Sequence, residues 1–501
     1  MLTEYQFSNF KAFSGPATIP IKPITLIFGA NSSGKSSIFQ SLLMLKQTAE
    51  AGHGNKYLLL NGPLIDLGRY AEMINGHDIK KAFSFKITLN KKTALDAFSY
   101  LLKNEDLFSG VHNIESDYKK LYSICEYKTI GLKITFCYDK GLSTIQLFIG
   151  DESDPISTYV NEMPTCYRFH EANDHGDPFF LHHINFDHDL WKHAIINDED
   201  IIVETEVPKS IFDMIEDSYE NGYYHELFPK LSKRYGINND YMYFWNCWEE
   251  SFSGEWESRF YAKARGTYFS TESDTHENIF LYMFPAILAF KKYIKQIIHI
   301  GPIRDRSQYM DYSQKDVENI NRQLELFDIG YQLKRVRFTS HAEDIQDEYK
   351  TLLYDKKNKV HVSLKDVGVG VSQILPVILQ SVASYGKTLL IEQPELHLHP
   401  ALQTELGDVF ISAAMGNQKN SFLIETHSEH LILRILRRIR ETTAGELPEG
   451  MPAITPNDVA VLYVKPGKDG SEVIHIPVNE DGEFDKPWPD GFFSERAREL
   501  F

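Results

Sequence analysis

Residues 24–36 read Ile-Thr-Leu-Ile-Phe-Gly-Ala-Asn-Ser-Ser-Gly-Lys-Ser, and this stretch decides the fold. Ile24 to Phe28 is an unbroken apolar run of strand length. Gly29 to Ser36 carries G-x-x-x-x-G-K-[ST] at every fixed position. Ser37 to Glu50 (SIFQSLLMLKQTAE) has the spacing of an amphipathic helix. A strand, a loop and a helix N-terminus make a concave row of backbone N–H groups, and the helix dipole favours negative charge there. Gly29 and Gly34 let the backbone approach phosphates, with Asn31, Ser32 and Ser33 between them and Ser37 opening the helix behind. Lys35 is expected on the β/γ-phosphates and the Ser36 hydroxyl on Mg²⁺. The pattern implies a bound nucleoside triphosphate, ATP with Mg²⁺.

The rest of the chain sets bounds. At 501 residues it is long enough for two or three domains. An apolar content of 42% with 24% charged residues is that of a globular protein. The net charge of −18 argues against a surface that wraps nucleic acid indiscriminately, so any such contact needs a local basic patch. Cys125, Cys137, Cys166 and Cys247 have no C-x-x-C spacing and read as reduced thiols. The longest apolar run, Ile279 to Phe290, is too short to span a bilayer and contains Pro285. A cytoplasmic protein is expected.

Outward from the loop, residues 2–28 suggest two strands before it, turning at Ser14-Gly15-Pro16, and Ala82 to Leu89 a strand after it. From 91 to 298 the character changes. Aromatic and acidic residues are dense, with strand-like runs at Leu132 to Tyr138 and Ser143 to Ile149 and helical patterns near 208–235 and 276–298. From Ile300 the patterns sharpen. Helices are expected over Asp311 to Phe327, Val371 to Ser384, Pro400 to Met415 and Glu429 to Glu441. Strands are expected over Gln332 to Ser340, Lys359 to Leu364, Thr388 to Ile391 and Ser421 to Glu425, with a closing hairpin at Val459 to Val464 and Val473 to Pro477. Strands alternating with helices around a phosphate loop predict an α/β sheet covered on both faces.

The second half of the site follows in order. In Leu389-Leu390-Ile391-Glu392-Gln393-Pro394-Glu395 an acid directly follows an apolar strand, which predicts that Glu392 lies beside the phosphate loop to hold Mg²⁺ or its water. Asp366-Val367-Gly368-Val369-Gly370-Val371-Ser372-Gln373 is a glycine-rich turn opening a helix, a second candidate anion site. Thr426-His427-Ser428 follows another apolar strand, placing His427 at the strand edge near a γ-phosphate. A structural histidine is the competing reading there.

With YQFSNFKAF, FGANSSGKSS, GPIR, DVGVGVSQILPVI, LLIEQPELHLHP, ETHSEHLILR and WPDGFFSERARELF in view, the chain resembles ABC-type ATPases of the SMC/RecF/OLD-like branch. More narrowly, it is similar to bacterial and archaeal AAA-type ATPases that end in a small domain of unknown function, and to ATPase subunits of Septu-type phage-defence systems. The quoted segments cover roughly residues 1–90 and 300–501. The resemblance implies an ABC-type P-loop NTPase head with a large α+β insertion. Its parts are 1–90, the insertion 91–298, 299–458 and a closing segment 459–501. It makes Lys35 and Ser36 the Walker A pair and Glu392 the Walker B acid. Gln393 takes the place of the usual catalytic glutamate, His399 that of the D-loop aspartate, and His427 that of the switch histidine. Gly368, Gly370, Ser372 and Gln373 stand where the signature lies. Glutamine orients a water but cannot take its proton. Hydrolysis is therefore expected to be slow unless Glu395 supplies the base.

The same resemblance implies at least a homodimer, because the signature turn of one subunit completes the phosphate loop of another. Three readings compete: a nucleotide switch in a defence complex beside a separate nuclease, a RecF/SMC-like repair or chromosome ATPase, and an OLD-like nuclease. About 40 residues follow Val459, short for an added nuclease domain. Two constellations remain. His170, His175, His182, His183, His188 and His193 with Asp187 and Asp189 match no trusted metal-ligand spacing, so a polar loop or sheet edge is favoured over a metal site. Arg434, Arg437, Arg438 and Arg440 lie on the helix after His427, the first three on one face; with Lys334, Arg335 and Arg337 they make a candidate DNA or partner patch, and a solvated helix face is the favoured reading.

Overall fold

The structure is a computed structural model of the chain. It describes residues 2–51, 58–90, 92–93, 128–139, 141–150, 154–155, 157–160, 180–184, 261–264, 267–270, 287, 289–302, 304, 313–327, 330–338, 348–362, 366–486 and 488–489. The chain divides into two compact units. One is made of 1–3, 56–58 and 79–292, the other of 4–55, 59–78 and 293–501.

The second unit carries the phosphate loop. β1 (Leu2–Ser8), which enters this unit at Glu4, pairs antiparallel with β2 (Ala17–Pro20). The main sheet is built on β3 (Ile24–Gly29), whose six residues are all buried. That fits a strand covered on both faces. β11 (Ile297–Ile300), β15 (Thr388–Glu392), β16 (Ser421–Glu425), β3 and β17 (Val459–Lys465) run parallel in that order, and β18 (Glu472–His475) closes the edge antiparallel to β17. A small antiparallel sheet, β12 (Tyr331–Phe338), β13 (Glu348–Asp355) and β14 (Val360–Val362), belongs to the same unit.

Its helices are α1 (Lys35–Glu50), the single turn α2 (Tyr70–Met73), α3 (Gln314–Leu326), α4 (Val369–Ala383), α5 (Pro400–Met415) and α6 (Glu429–Ala444). Local chemistry explains their ends. Pro400 opens α5, where its missing N–H is no loss. The Ser428 hydroxyl accepts from the Leu431 N–H at 3.0 Å to cap α6, which ends at Gly445 with φ 71°. Leu431, Ile432, Ile435, Leu436 and Ile439 form the buried stripe of α6. They share one core with Phe410 of α5, Phe422 of β16 and Leu26 and Phe28 of β3.

The first unit holds an antiparallel meander: β4 (Phe83–Asn90), β5 (Thr129–Cys137), β6 (Gly141–Ile149), β7 (Ser157–Val160) and β8 (Phe180–Ile184). A separate hairpin joins β9 (Tyr261–Ala264) to β10 (Thr267–Ser270). The helical expectation for 208–235 and most of the aromatic stretch 239–262 lie outside the described residues. One expectation is corrected. The helical pattern ending at 298 stops at Lys295, and Ile297–Ile300 is the strand β11, because it pairs parallel with β15 from Ile297↔Thr388 to Ile300↔Ile391.

Candidate functional site

Five strand ends meet at one edge of the main sheet, and their order sets the chemistry. β16 lies between β3 and β15. The carboxylate next to the phosphate loop is therefore Glu425, at the end of β16. Glu392 is its register partner one strand further out. Sequence reasoning placed Glu392 beside the loop because nothing in a single strand reveals its neighbour. The Ser36 hydroxyl donates to Glu425 Oε2 at 2.9 Å, and Lys35 Nζ lies 4.0 Å from Glu425 Oε1. Glu392 Oε1 instead meets His299 Nε2 of β11 at 2.8 Å.

The loop has the shape its residues demand. Gly29 has φ 151°, and a Cβ there would lie 2.6 Å from the Val464 carbonyl and 2.8 Å from Ser33 Oγ. Gly34, at φ 102°, ends the loop against Ala12 and Phe13. Asn31 and Ser32 are exposed, Ser32 in the left-handed region at φ 62°, whereas Ser33 and Lys35 are buried and Ser37 begins the buried side of α1. Lys35 Nζ donates to the carbonyls of Gly29 and Ala30 at 3.0 and 2.9 Å. Ser33 Oγ is buried with no hydrogen-bond partner. A buried cation, a hydroxyl awaiting a partner and a cradle without room for a Cβ fit a nucleotide phosphate chain.

Charge is concentrated and costly here. Burial pulls the Lys35 pKa down, against the carboxylates of Glu425 and Glu395. Burial pushes Glu425 up, against its bond from Ser36 and the charge of Lys35. Burial likewise raises Glu395, even though the His427 N–H donates to its Oε1 at 2.7 Å and the Thr426 hydroxyl to its Oε2 at 2.8 Å. Both Glu395 oxygens thus hold the turn after β16, which is an orienting arrangement rather than that of a free base. Burial, then the charge of Lys35, lowers the His427 pKa. Gln393 sits at φ 44°, its N–H bonded to the Glu425 carbonyl at 2.7 Å. That left-handed turn separates it in direction from Glu392. Among the described residues no three His, Cys, Asp or Glu side chains could hold a metal by themselves. Mg²⁺ typically takes one or two carboxylates and completes its shell with phosphate oxygens and water, for which Ser36, Glu425 and Glu392 are the available ligands.

The glycine-rich turn opens α4 with Gly368 as its N-cap. Gly368 and Val369 are exposed, Gly370 is half-buried, and Ser372 and Gln373 are buried. The Ser372 hydroxyl donates to Val369 O at 2.9 Å within its own helix. The outward surface of the turn is thus Gly368 and Val369, not Ser372. Arg304, from GPIR, links this helix to the acid loop. Its guanidinium donates to Gln373 O at 2.9 Å, to Glu392 O at 2.9 Å and to Gln393 O at 3.2 Å.

The basic patch is a second correction. Arg434 pairs with Asp408 and Glu405, and Arg438 with Asp408 and Glu441. Both arginines are largely buried, and the bonds Arg438 donates to Asp408 hold its pKa well above the usual value. Arg437 is more exposed but also pairs with Glu441. Arg434 and Arg438 are thus neutralised within the fold, whereas Arg437 and Arg440 remain on the exposed side of α6. Of the histidine-rich stretch only the backbone of β8 with His182 and His183 is described. Sequence reasoning missed Glu425, His299, Arg304 and the Thr426 hydroxyl; for Glu425 the signal was the acid ending Ser-Phe-Leu-Ile-Glu.

A phosphate loop on β3, one strand between it and an acid-ended strand, and parallel strands under helices define an α/β P-loop NTPase head. The chain belongs to the AAA ATPase domain family, which matches residues 1–432. Residues 454–501 match a second family, described as a protein of unknown function, DUF3696. No curated protein matches the chain. Solved structures similar to it include an SMC head bound to the C-terminal winged-helix domain of ScpA, at 10% identity, TM-score 0.38, covering 95% of this chain and 98% of that one. Others are an SMC head with an extended coiled coil bound to the C-terminal domain of ScpA from Pyrococcus furiosus (11%, 0.37, 95% and 96%) and the SMC head from Thermotoga maritima (9%, 0.37, 95% and 99%). No helix among the described residues is long and apolar enough to cross a membrane.

Proposed function

We propose that this ATPase is a slow nucleotide switch that works as a homodimer. The observation that carries the reading is the make-up of the strand ends. Lys35, Ser36, Glu425 and Glu392 offer charge to phosphates and a cation. The residue after Glu392 is an amide, and Glu395 is tied to Thr426 and His427. Bound Mg²⁺ would polarise the phosphate oxygens. Lys35 and the loop N–H groups bind and orient them, Ser36 with Glu425 and Glu392 holds the metal, and Gln393 positions water without accepting its proton. The exposed Gly368–Val369 turn would cover the phosphate loop of a second copy, so that ATP closes the pair and its loss opens it.

The finer role, a defence complex with a separate nuclease effector, is supported by the sequence resemblance. The repair-ATPase reading is weakened because two of its candidate arginines, Arg434 and Arg438, are held in ion pairs with Asp408. Calorimetry and light scattering test the switch. ATP should bind, Lys35→Ala should abolish binding, and ATP should drive dimerisation that Val369→Arg prevents without loss of binding. Fast, DNA-stimulated turnover by the protein alone would replace this reading with the repair ATPase.

A further inference from the structure

The segment matched by the family of unknown function lies against the phosphate loop. β17 runs parallel to β3, with Val464 opposite Gly29, and the Val464 carbonyl leaves no room for a side chain on that glycine. Beyond β17 the chain turns and returns at Ser471. The Ser471 N–H donates to the Ala12 carbonyl at 2.7 Å, and its hydroxyl donates to the Ser33 carbonyl at 2.7 Å. Gly470, at φ 133°, is pressed so close that a Cβ would lie 2.9 Å from the Ser14 nitrogen and 3.0 Å from the Ala12 carbonyl. Trp488 stands edge-on to Phe28, the residue before Gly29, with ring centroids 5.1 Å apart, and to Phe484 at 5.1 Å.

The bond to Ser33 has a geometric consequence. The carbonyl of Ser33 and the N–H of Gly34 belong to one planar trans peptide, so they point in opposite directions. Holding that carbonyl toward Ser471 turns the Gly34 N–H to the other side of the loop. Gly34 has no side chain to hold its own orientation and sits at φ 102°.

We propose that Ser471 is a positioning residue for nucleotide binding, and that the C-terminal segment is a clamp that orders the phosphate loop. The inference rests on the reading that this loop binds a nucleotide. It predicts a loss for any ligand that uses the loop N–H groups, with or without metal. Calorimetry on the full chain with ATP and with ADP, in Mg²⁺ and in EDTA, is the test. Ser471→Ala should weaken all four by a similar factor, about threefold to tenfold, the worth of one hydrogen bond. Ser471→Thr should restore affinity. Amide exchange over residues 29–36 of the nucleotide-free protein should quicken in Ser471→Ala and recover in Ser471→Thr, which reads the clamp even in a destabilised variant. Wild-type affinity in Ser471→Ala, or unchanged exchange over 29–36, overturns the clamp. If the wild type binds no nucleotide, or binds as well with Lys35→Ala, the nucleotide reading fails instead, and the exchange measurement still decides the clamp.

Discussion

Replacing Arg304 with methionine should loosen α4 and the loop after β15 together. The guanidinium is buried at 5% exposure and spans three carbonyls on two segments, Gln373 on one and Glu392 and Gln393 on the other. Burial lowers its pKa to about 10, against the pull of Glu395 and Glu392, so it is still a cation at neutral pH. Each bond from a charged donor contributes about 1.5–3 kcal/mol. Part of that is offset because a buried guanidinium loses its hydration, and methionine restores the apolar volume. Leaving buried carbonyls without their donor costs about 1–3 kcal/mol each, so a net loss of about 3–5 kcal/mol is expected for the three together. The measurement is native-state amide exchange, because a chain of two units need not unfold in one step. Amides of α4 and of residues 392–396 should lose about 3–5 kcal/mol of protection in Arg304→Met, and less in Arg304→Lys, which keeps the charge but not the fork. Protection within about 1 kcal/mol of wild type at α4 would refute the argument, since the three carbonyls would then have needed no donor.

Two further outcomes follow from the same geometry. Gln393→Glu should raise steady-state hydrolysis, since general-base help is worth about 10²–10⁴-fold; unchanged turnover would mean that Gln393, at φ 44°, does not face the water. The second outcome concerns pH. Glu395 has its pKa raised by burial, so over the range from its unfolded value up to that raised value the folded chain keeps a proton the unfolded chain has lost. Its contribution is therefore least unfavourable at acid pH and stability falls as pH rises through that window. Glu395→Gln removes this slope, so the stability of the variant minus that of the wild type should increase from pH 4.5 toward neutrality. A flat or falling difference in urea titrations would contradict the assignment.

Much of this was legible in residue types. The apolar run Ile24–Phe28, the glycines at 29 and 34, and Pro400 and Ser428 at helix starts act through local sterics and local hydrogen bonds, so strand, loop and helix could be read in place. Strand order could not. Thr-Leu-Leu-Ile-Glu and Ser-Phe-Leu-Ile-Glu look alike as text, and only crossover geometry puts the second beside β3. That is why Glu425 was overlooked and Glu392 was set one strand too close. The burial of Arg434 and Arg438 is illegible for a related reason: their partners Glu405 and Asp408 come from α5, and a helix face shows its charges but not its neighbours. The helical pattern runs on to 298 in the sequence because a short apolar run such as Ile297–Ile298 carries little periodicity.

The position of β3 also has a temporal consequence on the ribosome. Its two sheet neighbours, β16 and β17, are encoded far downstream, at Ser421–Glu425 and Val459–Lys465. At about 5–20 residues per second, roughly 400 residues of synthesis keep β3 waiting for some 20–80 s. Through that interval the apolar strand and its glycine loop have no sheet to join, and a nascent chain has no nucleotide site. Such long-range pairing closes slowly and leaves an apolar edge open to chaperones or to misassembly. A release of nascent chains before Val459 should therefore give a product that aggregates rather than one that binds ATP weakly.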